Sequence, residues 1–110
     1  MIAYCLKTCD TCRKALKELS NAGIPVTVVD VRADGLSADV IAQVVARFGE
    51  KAVNRASTTW RGLSESERAM PLETLLAQHP TLMKRPVIHA GSDWYQGWTP
   101  ANRQALLGTQ

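Results

Sequence analysis

The chain has 110 residues, which is enough for one domain with a single packed core and too few for two such domains. Hydrophobic residues make up 45% and charged residues 21%, as in ordinary globular proteins, and no apolar run approaches the roughly 18 residues that a membrane span needs. The formal net charge of +3 is small, and the sequence contains no long run of like charges. Neither a membrane nor a direct nucleic-acid partner is therefore expected.

The first third of the chain predicts a βαβ unit. The apolar run 2–5 predicts a strand, and apolar residues at steps of three and four predict a helix over 11–22, with Gly23 placed to end it. The β-branched residues of 25–31 predict a second strand. A strand, a helix and a parallel strand within about 30 residues form a βαβ unit.

Residues 36–80 are predicted to be helical throughout. Ser37 is a candidate N-cap, and Gly49 is placed to end the helix that follows it. The segment "SESE" at 64–67 has the Ser-x-x-Glu form of a capping box, and leucines after Pro71 mark another short helix.

The last part of the chain predicts two strands, 85–89 and 93–96, joined by a turn at 91–92. Thr99 is suited to cap a terminal helix over 100–107. Without the helical middle, the order is βαβ–ββα. The sequence therefore predicts an α/β protein, with a small mixed sheet flanked by helices.

Three cysteines, Cys5, Cys9 and Cys12, lie near the start of the chain. Cys9 is placed where the first helix begins, and unpaired N–H groups and the helix dipole there favour a thiolate. Cys12 follows one turn later on the buried face. The N-terminal residues lack the pattern of a signal peptide, which predicts a reducing cytoplasm, where such a pair favours redox chemistry. Cys9 would attack and Cys12 would resolve; the alternative is a loop cysteine beside a core thiol.

The spacing of the three cysteines also matches the one with which radical-SAM enzymes hold an iron–sulfur cluster. Those enzymes need a far larger barrel, and Cys5 is expected on a strand, pointing away from the loop as a small core residue. His79 and His89 stand alone without the spacing of zinc ligands. No metal site is therefore predicted.

The segment "KRPV" at 84–87 draws attention to Pro86. The residue before a proline is extended, and a proline that opens a strand has no N–H to donate. The bond could be trans on an edge strand, or cis in a tight bend beside an active site. The spacing alone leaves both open.

Four segments together resemble the ArsC arsenate reductase family, and within it the small YffB-like and Spx-like branch. They are "CDTCRKAL" at 9–16, "TTWRGL" at 58–63, "KRPV" at 84–87 and "GWTP" at 97–100. The resemblance follows the whole chain in the right order. It is therefore much more specific than a Cys-x-x-Cys pair alone.

The resemblance implies one domain over residues 1–110 with a thioredoxin-like fold. The core would comprise 1–34 and 83–110, and 35–82 would be a helical insertion. It also implies that Pro86 is the cis proline that faces the redox loop.

The resemblance also assigns roles to site residues. Cys9 matches the catalytic cysteine, and Arg85 matches an arginine that holds the oxyanion substrate in the true reductases. A second anion-binding arginine falls near Asn54 and Arg55. A further arginine before the final helix has no counterpart in this sequence, whereas Cys12 is a second thiol that the glutaredoxin-linked reductases lack.

These matches and departures favour thiol–disulfide chemistry over arsenate reduction. The expected protein is a cytoplasmic thiol reductase with no tightly bound cofactor, with glutathione or a protein disulfide as its partner. Two alternatives remain. One is an Spx-like regulator that binds the RNA polymerase α subunit and is switched by its cysteines, and the other is a genuine arsenate reductase.

Overall fold

The structure is a computed structural model that describes residues 1–108. In chain order, the strands and helices are β1 (Ile2–Cys5), α1 (Asp10–Asn21), β2 (Thr27–Asp30), α2 (Val31–Asp34), α3 (Ala38–Phe48), α4 (Thr58–Arg61), α5 (Glu65–Arg68), α6 (Leu72–Gln78), β3 (Val87–Ala90), β4 (Asp93–Gln96) and α7 (Pro100–Leu107). Short 3₁₀ helices follow α3 and α6, at Gly49–Ala52 and Pro80–Leu82. None of the helices described is long and apolar enough to cross a lipid bilayer.

The four strands form one mixed sheet in the order β2-β1-β3-β4. β1 is parallel to β2 and antiparallel to β3, and β3 is antiparallel to β4. The α/β class and the βαβ–ββα order predicted from the sequence are confirmed. The chain divides into two compact units, of which the first holds 1–30 and the residues from 85 onward, and the second holds 31–84.

The core of the first unit lies between the sheet and its helices. Alternate strand residues point to the same face of a sheet, so Ala3 and Cys5 of β1 share a face, with Ile88 of β3 paired to Ala3. On α1, the residues that face inward recur every three or four positions. The buried residues that pack together are Ala3, Cys5, Cys12, Leu19, Ile88 and Leu106.

The first βαβ unit differs from the prediction at its second strand. β2 pairs with β1 only from Thr27 to Asp30, so the strand is shorter than the predicted 25–31. Val31 was wrongly predicted as part of that strand, and it begins α2 instead. Gly23 ends α1 as predicted, with a φ of 76° that L side chains rarely adopt.

The second unit is helical, and side chains cap its helices as predicted. The Ser37 hydroxyl accepts a hydrogen bond from the Val40 N–H at 3.2 Å, and the helix that follows ends at Gly49. Ser64 and Glu67 form a reciprocal capping box, with bonds of 3.2 Å and 3.1 Å. The buried residues are apolar, namely Val31, Ile41, Val44, Ala52, Val53, Leu75, Leu76, Leu82 and Met83.

The prediction that 36–80 is helical throughout was wrong around Val53 and Asn54. Val53 forms a β-bridge with Met83, and the Asn54 N–H donates to the Leu82 carbonyl at 2.8 Å. The Asn54 side-chain oxygen then accepts the Ala56 N–H at 3.0 Å. This side chain gives the backbone an alternative to helix hydrogen bonds, so the chain turns here.

The last helix of the first unit is attached to α1 through Glu18. The Glu18 carboxylate accepts hydrogen bonds from the Trp98 indole N–H and from the Arg103 guanidinium, the latter at 2.6 Å and 3.2 Å. These bonds lower the pKa of Glu18, and the bond from Arg103 has the larger effect. Thr99 caps α7 as predicted, by accepting the Asn102 N–H at 3.1 Å.

Candidate active site

Cys9 occupies the N-cap position of α1, where its backbone is extended with φ of −87° and ψ of 116°. Its N–H donates to the Leu6 carbonyl at 3.0 Å, and its carbonyl accepts the Arg13 N–H at 3.0 Å. Because Arg13 makes the first bond of the helix, the N–H groups just before it lack partners within α1 and point toward its N-terminal end. The Cys9 side chain is partly buried, and it lies where a negative charge is favoured.

Charged side chains also surround this end of α1. Asp10 lies in the first turn of the helix and pairs with Arg13, and both side chains are largely exposed. The carboxylate opposes a thiolate at Cys9, whereas the guanidinium offsets that effect. The pair is exposed and screened by water, so its net effect at Cys9 is small.

Cys12 lies on the inward face of α1 and is only 1% exposed. Its thiol contacts the thiols of both Cys5 and Cys9, and also the backbone N–H of Leu6. The hydrogen bond with Cys5, followed by burial, raises the pKa of Cys12 far above its ordinary value. Cys12 is therefore held as a neutral thiol at the centre of a thiol cluster that comprises Cys5, Cys9 and Cys12.

Cys5 is a small core residue, as predicted, and it belongs to the same group of buried residues as Cys12. The residue is 3% exposed at the end of β1, on the sheet face that α1 covers, and its sulfur accepts the S–H of Cys12. That hydrogen bond, with help from the positive charge of Arg85, lowers the pKa of Cys5 against the opposing effects of burial, Cys9 and Asp30. The alternation of β1 places Cys5 on the same buried face as Ala3.

Arg85 and Pro86 lie in the same unit as the thiol cluster. Their peptide bond is cis, as the family resemblance implies. Pro86 is fully buried, and its carbonyl accepts the Gly97 N–H at 2.8 Å. Arg85 is half-buried, and its charge acts on Cys5. The structure thus brings a guanidinium within electrostatic reach of the cysteines.

Asn54 and Arg55, the other predicted anion-binding residues, belong to the second unit and have local partners there. Asn54 shapes the turn described above. The Arg55 guanidinium lies 5.4 Å from the centre of the Trp60 ring and 3.7 Å from the Glu50 carboxylate. Arg68 lies 5.6 Å from the centre of the same ring, so two arginines contact the indole of the "TTWRGL" segment.

Within residues 1–108, no group of three or more His, Cys, Asp or Glu side chains is arranged to hold a metal ion. All three cysteines are free thiols.

Comparison with known proteins assigns the chain to a family. The profile of the ArsC family matches residues 4–106, which is nearly the whole chain. The chain belongs to the ArsC family.

The relatives include proteins with solved structures and one transcriptional regulator. The solved structure of a YffB protein matches with a TM-score of 0.89 and 30% identity, covering 96% of this chain and 97% of that one. An arsenate reductase-related protein from Brucella melitensis matches with a TM-score of 0.72 and 33% identity over 94% and 91% of the two chains. The global transcriptional regulator Spx of Bacillus subtilis is 29% identical over an alignment of 91 positions, and the match covers 77% of this chain and 70% of Spx. These likenesses confirm the thioredoxin-like branch of the family as predicted.

Proposed function

We propose that this ArsC-family protein is a thiol–disulfide reductase that uses Cys9 as its nucleophile and glutathione as its reductant. The observation that carries the proposal is the position of Cys9, a partly exposed residue, at the N-terminal end of α1. Unpaired N–H groups stabilise a thiolate there, and the thiolate is the form that attacks disulfides. The reaction suits the reducing cytoplasm that the sequence predicts.

The proposed reaction has four thiol exchanges. The Cys9 thiolate attacks a substrate disulfide, forms a mixed disulfide and releases one substrate thiolate. Cys12 then attacks the Cys9 sulfur and releases the second substrate thiol, which takes the proton of Cys12. Two glutathione molecules reduce the resulting Cys9–Cys12 disulfide and become glutathione disulfide. The raised pKa of Cys12 supports this order, because the thiol that is held neutral is the poorer first attacker.

Arg85 is the proposed binding group for the carboxylates of glutathione or for an oxyanion. Its charge already acts on the thiol cluster through Cys5, which supports a role beside the reacting sulfurs. Asn54 and Arg55 are proposed as further anion-binding residues because the family resemblance assigns one such site near them. Pro86 is proposed to shape the backbone beside Arg85 in the unit that holds the thiol cluster.

Cysteine variants test the order of the exchanges. With a glutathione mixed disulfide as substrate, Cys9→Ser should lower turnover to the uncatalysed rate, because no thiol remains at the helix end. Cys12→Ser should keep the first exchange and accumulate glutathione on Cys9, measured by intact mass. Full turnover by the Cys9→Ser protein would contradict the proposal.

Arginine variants test anion binding. Arg85→Ala removes a charged partner whose hydrogen bonds contribute about 1.5–3 kcal/mol, so kcat/KM should fall about tenfold or more for an anionic disulfide. A neutral disulfide of similar size should react at nearly the original rate. Equal losses with both substrates would show that Arg85 acts on the fold or on the thiols instead. Arsenate-dependent oxidation of glutathione, measured in parallel, tests whether the protein also reduces arsenate.

The similarity to Spx favours a second candidate function, that of a regulator whose cysteines switch its binding to the RNA polymerase α subunit. In this case the thiols regulate binding and do not turn over. Capture of the purified protein by the purified α subunit, under oxidising and reducing conditions, distinguishes the two. Redox-dependent capture together with absent turnover would favour the regulator.

A further inference from the structure

We propose that Cys5 is a third redox-active thiol, which exchanges with Cys12 so that the disulfide moves from Cys9–Cys12 to a buried Cys5–Cys12 pair. This inference rests on the proposed function, because oxidation enters the cluster through Cys9. It assigns a chemical role to a residue that sequence reasoning treated as core filling.

Packing places the two buried thiols against each other. Cys5 and Cys12 belong to the same group of buried residues, and Cys9 packs against that group from the side. Cys5 faces α1 because it lies on the same face of β1 as Ala3. Cys12 faces the sheet because it is the first buried residue on the inward face of α1. Cys12 is in hydrogen-bond contact with both other sulfurs. Both other cysteines are therefore candidate disulfide partners of Cys12.

The exchange between Cys5 and the Cys9–Cys12 disulfide needs no reactant from outside the protein. The Cys5 sulfur attacks Cys12 of the Cys9–Cys12 disulfide, the Cys5–Cys12 bond forms and the Cys9–Cys12 bond breaks. The proton that Cys5 loses goes to the departing Cys9 sulfur or, when Cys9 leaves as a thiolate, to solvent. The oxidation level is unchanged, since one disulfide replaces another, and the substrate disulfide supplies the only oxidant.

Electrostatics favours this direction. Once Cys12 is part of a disulfide it has no S–H to donate to Cys5, and the nearby charge of Arg85 then favours the Cys5 thiolate against the opposing effects of burial and Asp30. Cys9 is a good leaving group because the end of α1 stabilises the negative charge that it acquires. The consequence is that the oxidised protein again presents a reactive Cys9, while the disulfide is shielded in the core.

Tryptic mapping distinguishes the two disulfides. Cleavage after Lys7 and Arg13 releases Cys5 in peptide 1–7 and both other cysteines in peptide 8–13. A Cys9–Cys12 disulfide remains inside peptide 8–13, whereas a Cys5–Cys12 disulfide joins the two peptides and leaves Cys9 free for alkylation.

In the experiment, the folded full-length protein is oxidised with one equivalent of glutathione disulfide, quenched with acid at successive times, alkylated under denaturing conditions and digested. We expect the bond inside peptide 8–13 to appear first and then to give way to the joined peptides, with alkylated Cys9 as the major end product. Cys5→Ala should abolish the joined peptides and leave the 8–13 disulfide as the end product. An end product with the disulfide inside peptide 8–13 and Cys5 fully alkylated in the unmodified protein would overturn the relay.

Cys12→Ser separates this inference from the proposed function. If glutathione accumulates on Cys9 in that variant while the unmodified protein never joins its two peptides, the relay is wrong and the proposed reductase stands. If Cys9 takes up no glutathione at all, the relay has no entry point and both proposals fail. Cys5→Ser, which is closer in size than Cys5→Ala, should also lack the joined peptides. In both variants the 8–13 disulfide should persist, and its disappearance at the rate seen in the unmodified protein would overturn the relay.

Discussion

The two compact units of the protein use their polar groups in opposite ways. In the first unit, the thiols of Cys5 and Cys12 are part of the buried core. These reactive groups therefore also help to hold the sheet and α1 together. In the second unit the buried residues are apolar, and the polar groups serve helix ends, as Ser37 and Ser64 do. Sequence changes in the first unit should therefore affect stability and thiol reactivity together, whereas changes in the second should affect stability without any change in buried thiols.

The largest effect on stability should come from shortening a fully buried leucine in either unit. Leu19→Ala in the first unit and Leu76→Ala in the second should each lower the free energy of unfolding by about 3 kcal/mol, since both leucines are 0% exposed. Urea denaturation measures the loss. The exposed Lys17→Ala on α1 serves as a control, with a change within about 0.5 kcal/mol.

The same pair of variants sharpens the comparison between the units. Leu19 lies on the face of α1 that carries Cys12, so its truncation should also speed alkylation of that thiol under native conditions. Unchanged alkylation of Cys12 in a clearly destabilised Leu19→Ala protein would break the link between core packing and thiol protection.

A smaller effect is expected at the capping box of the second unit. Ser64→Ala removes the hydroxyl that accepts the Glu67 N–H, and loss of such a cap costs about 1 kcal/mol. Ser66 is exposed in the same short helix and makes no comparable cap, so Ser66→Ala is the matched control. Equal stability of the two variants, measured by urea denaturation, would mean that the cap contributes nothing.

The smallest effect is a pH dependence at Glu18, because its partner Arg103 is 42% exposed and water screens the pair. The pKa of Glu18 is lower in the folded than in the unfolded state, so its contribution is present above the ordinary glutamate pKa and is lost as the pH falls through the folded value. Glu18→Gln should therefore lose less stability than the unmodified protein between neutral and acidic pH. The exposed Glu73→Gln should keep the full dependence, and parallel curves for all three proteins would contradict the prediction.

Local signals were sufficient to predict the elements whose ends are fixed by their own side chains. α3 begins after Ser37 and ends before Gly49, α5 carries the predicted capping box, and α7 follows Thr99. The helix predicted over 11–22 differs from α1 by one residue at each end. Caps and glycines act over a few residues, so a sequence window contains all that determines them.

Features that depend on distant partners were harder to predict. Val53 is extended because it pairs with Met83, 30 positions later in the sequence, and β2 is short because β1 offers it only four partners. The contact between Cys5 and Cys12 joins a strand to a helix face, and it follows from a tertiary arrangement that spacing along the chain does not determine. The candidate nucleophile Cys9 was predictable because its environment is the local start of a helix.

The burial of the thiols has a consequence for the nascent chain. Cys5 and Cys12 are synthesised before Ile88 and Leu106, which belong to the group of residues that covers them. Until those residues are made, the sheet lacks β3 and both sulfurs are open to any oxidant or alkylating agent in the surrounding solution. Newly made chains are therefore the population in which premature oxidation of this protein would occur.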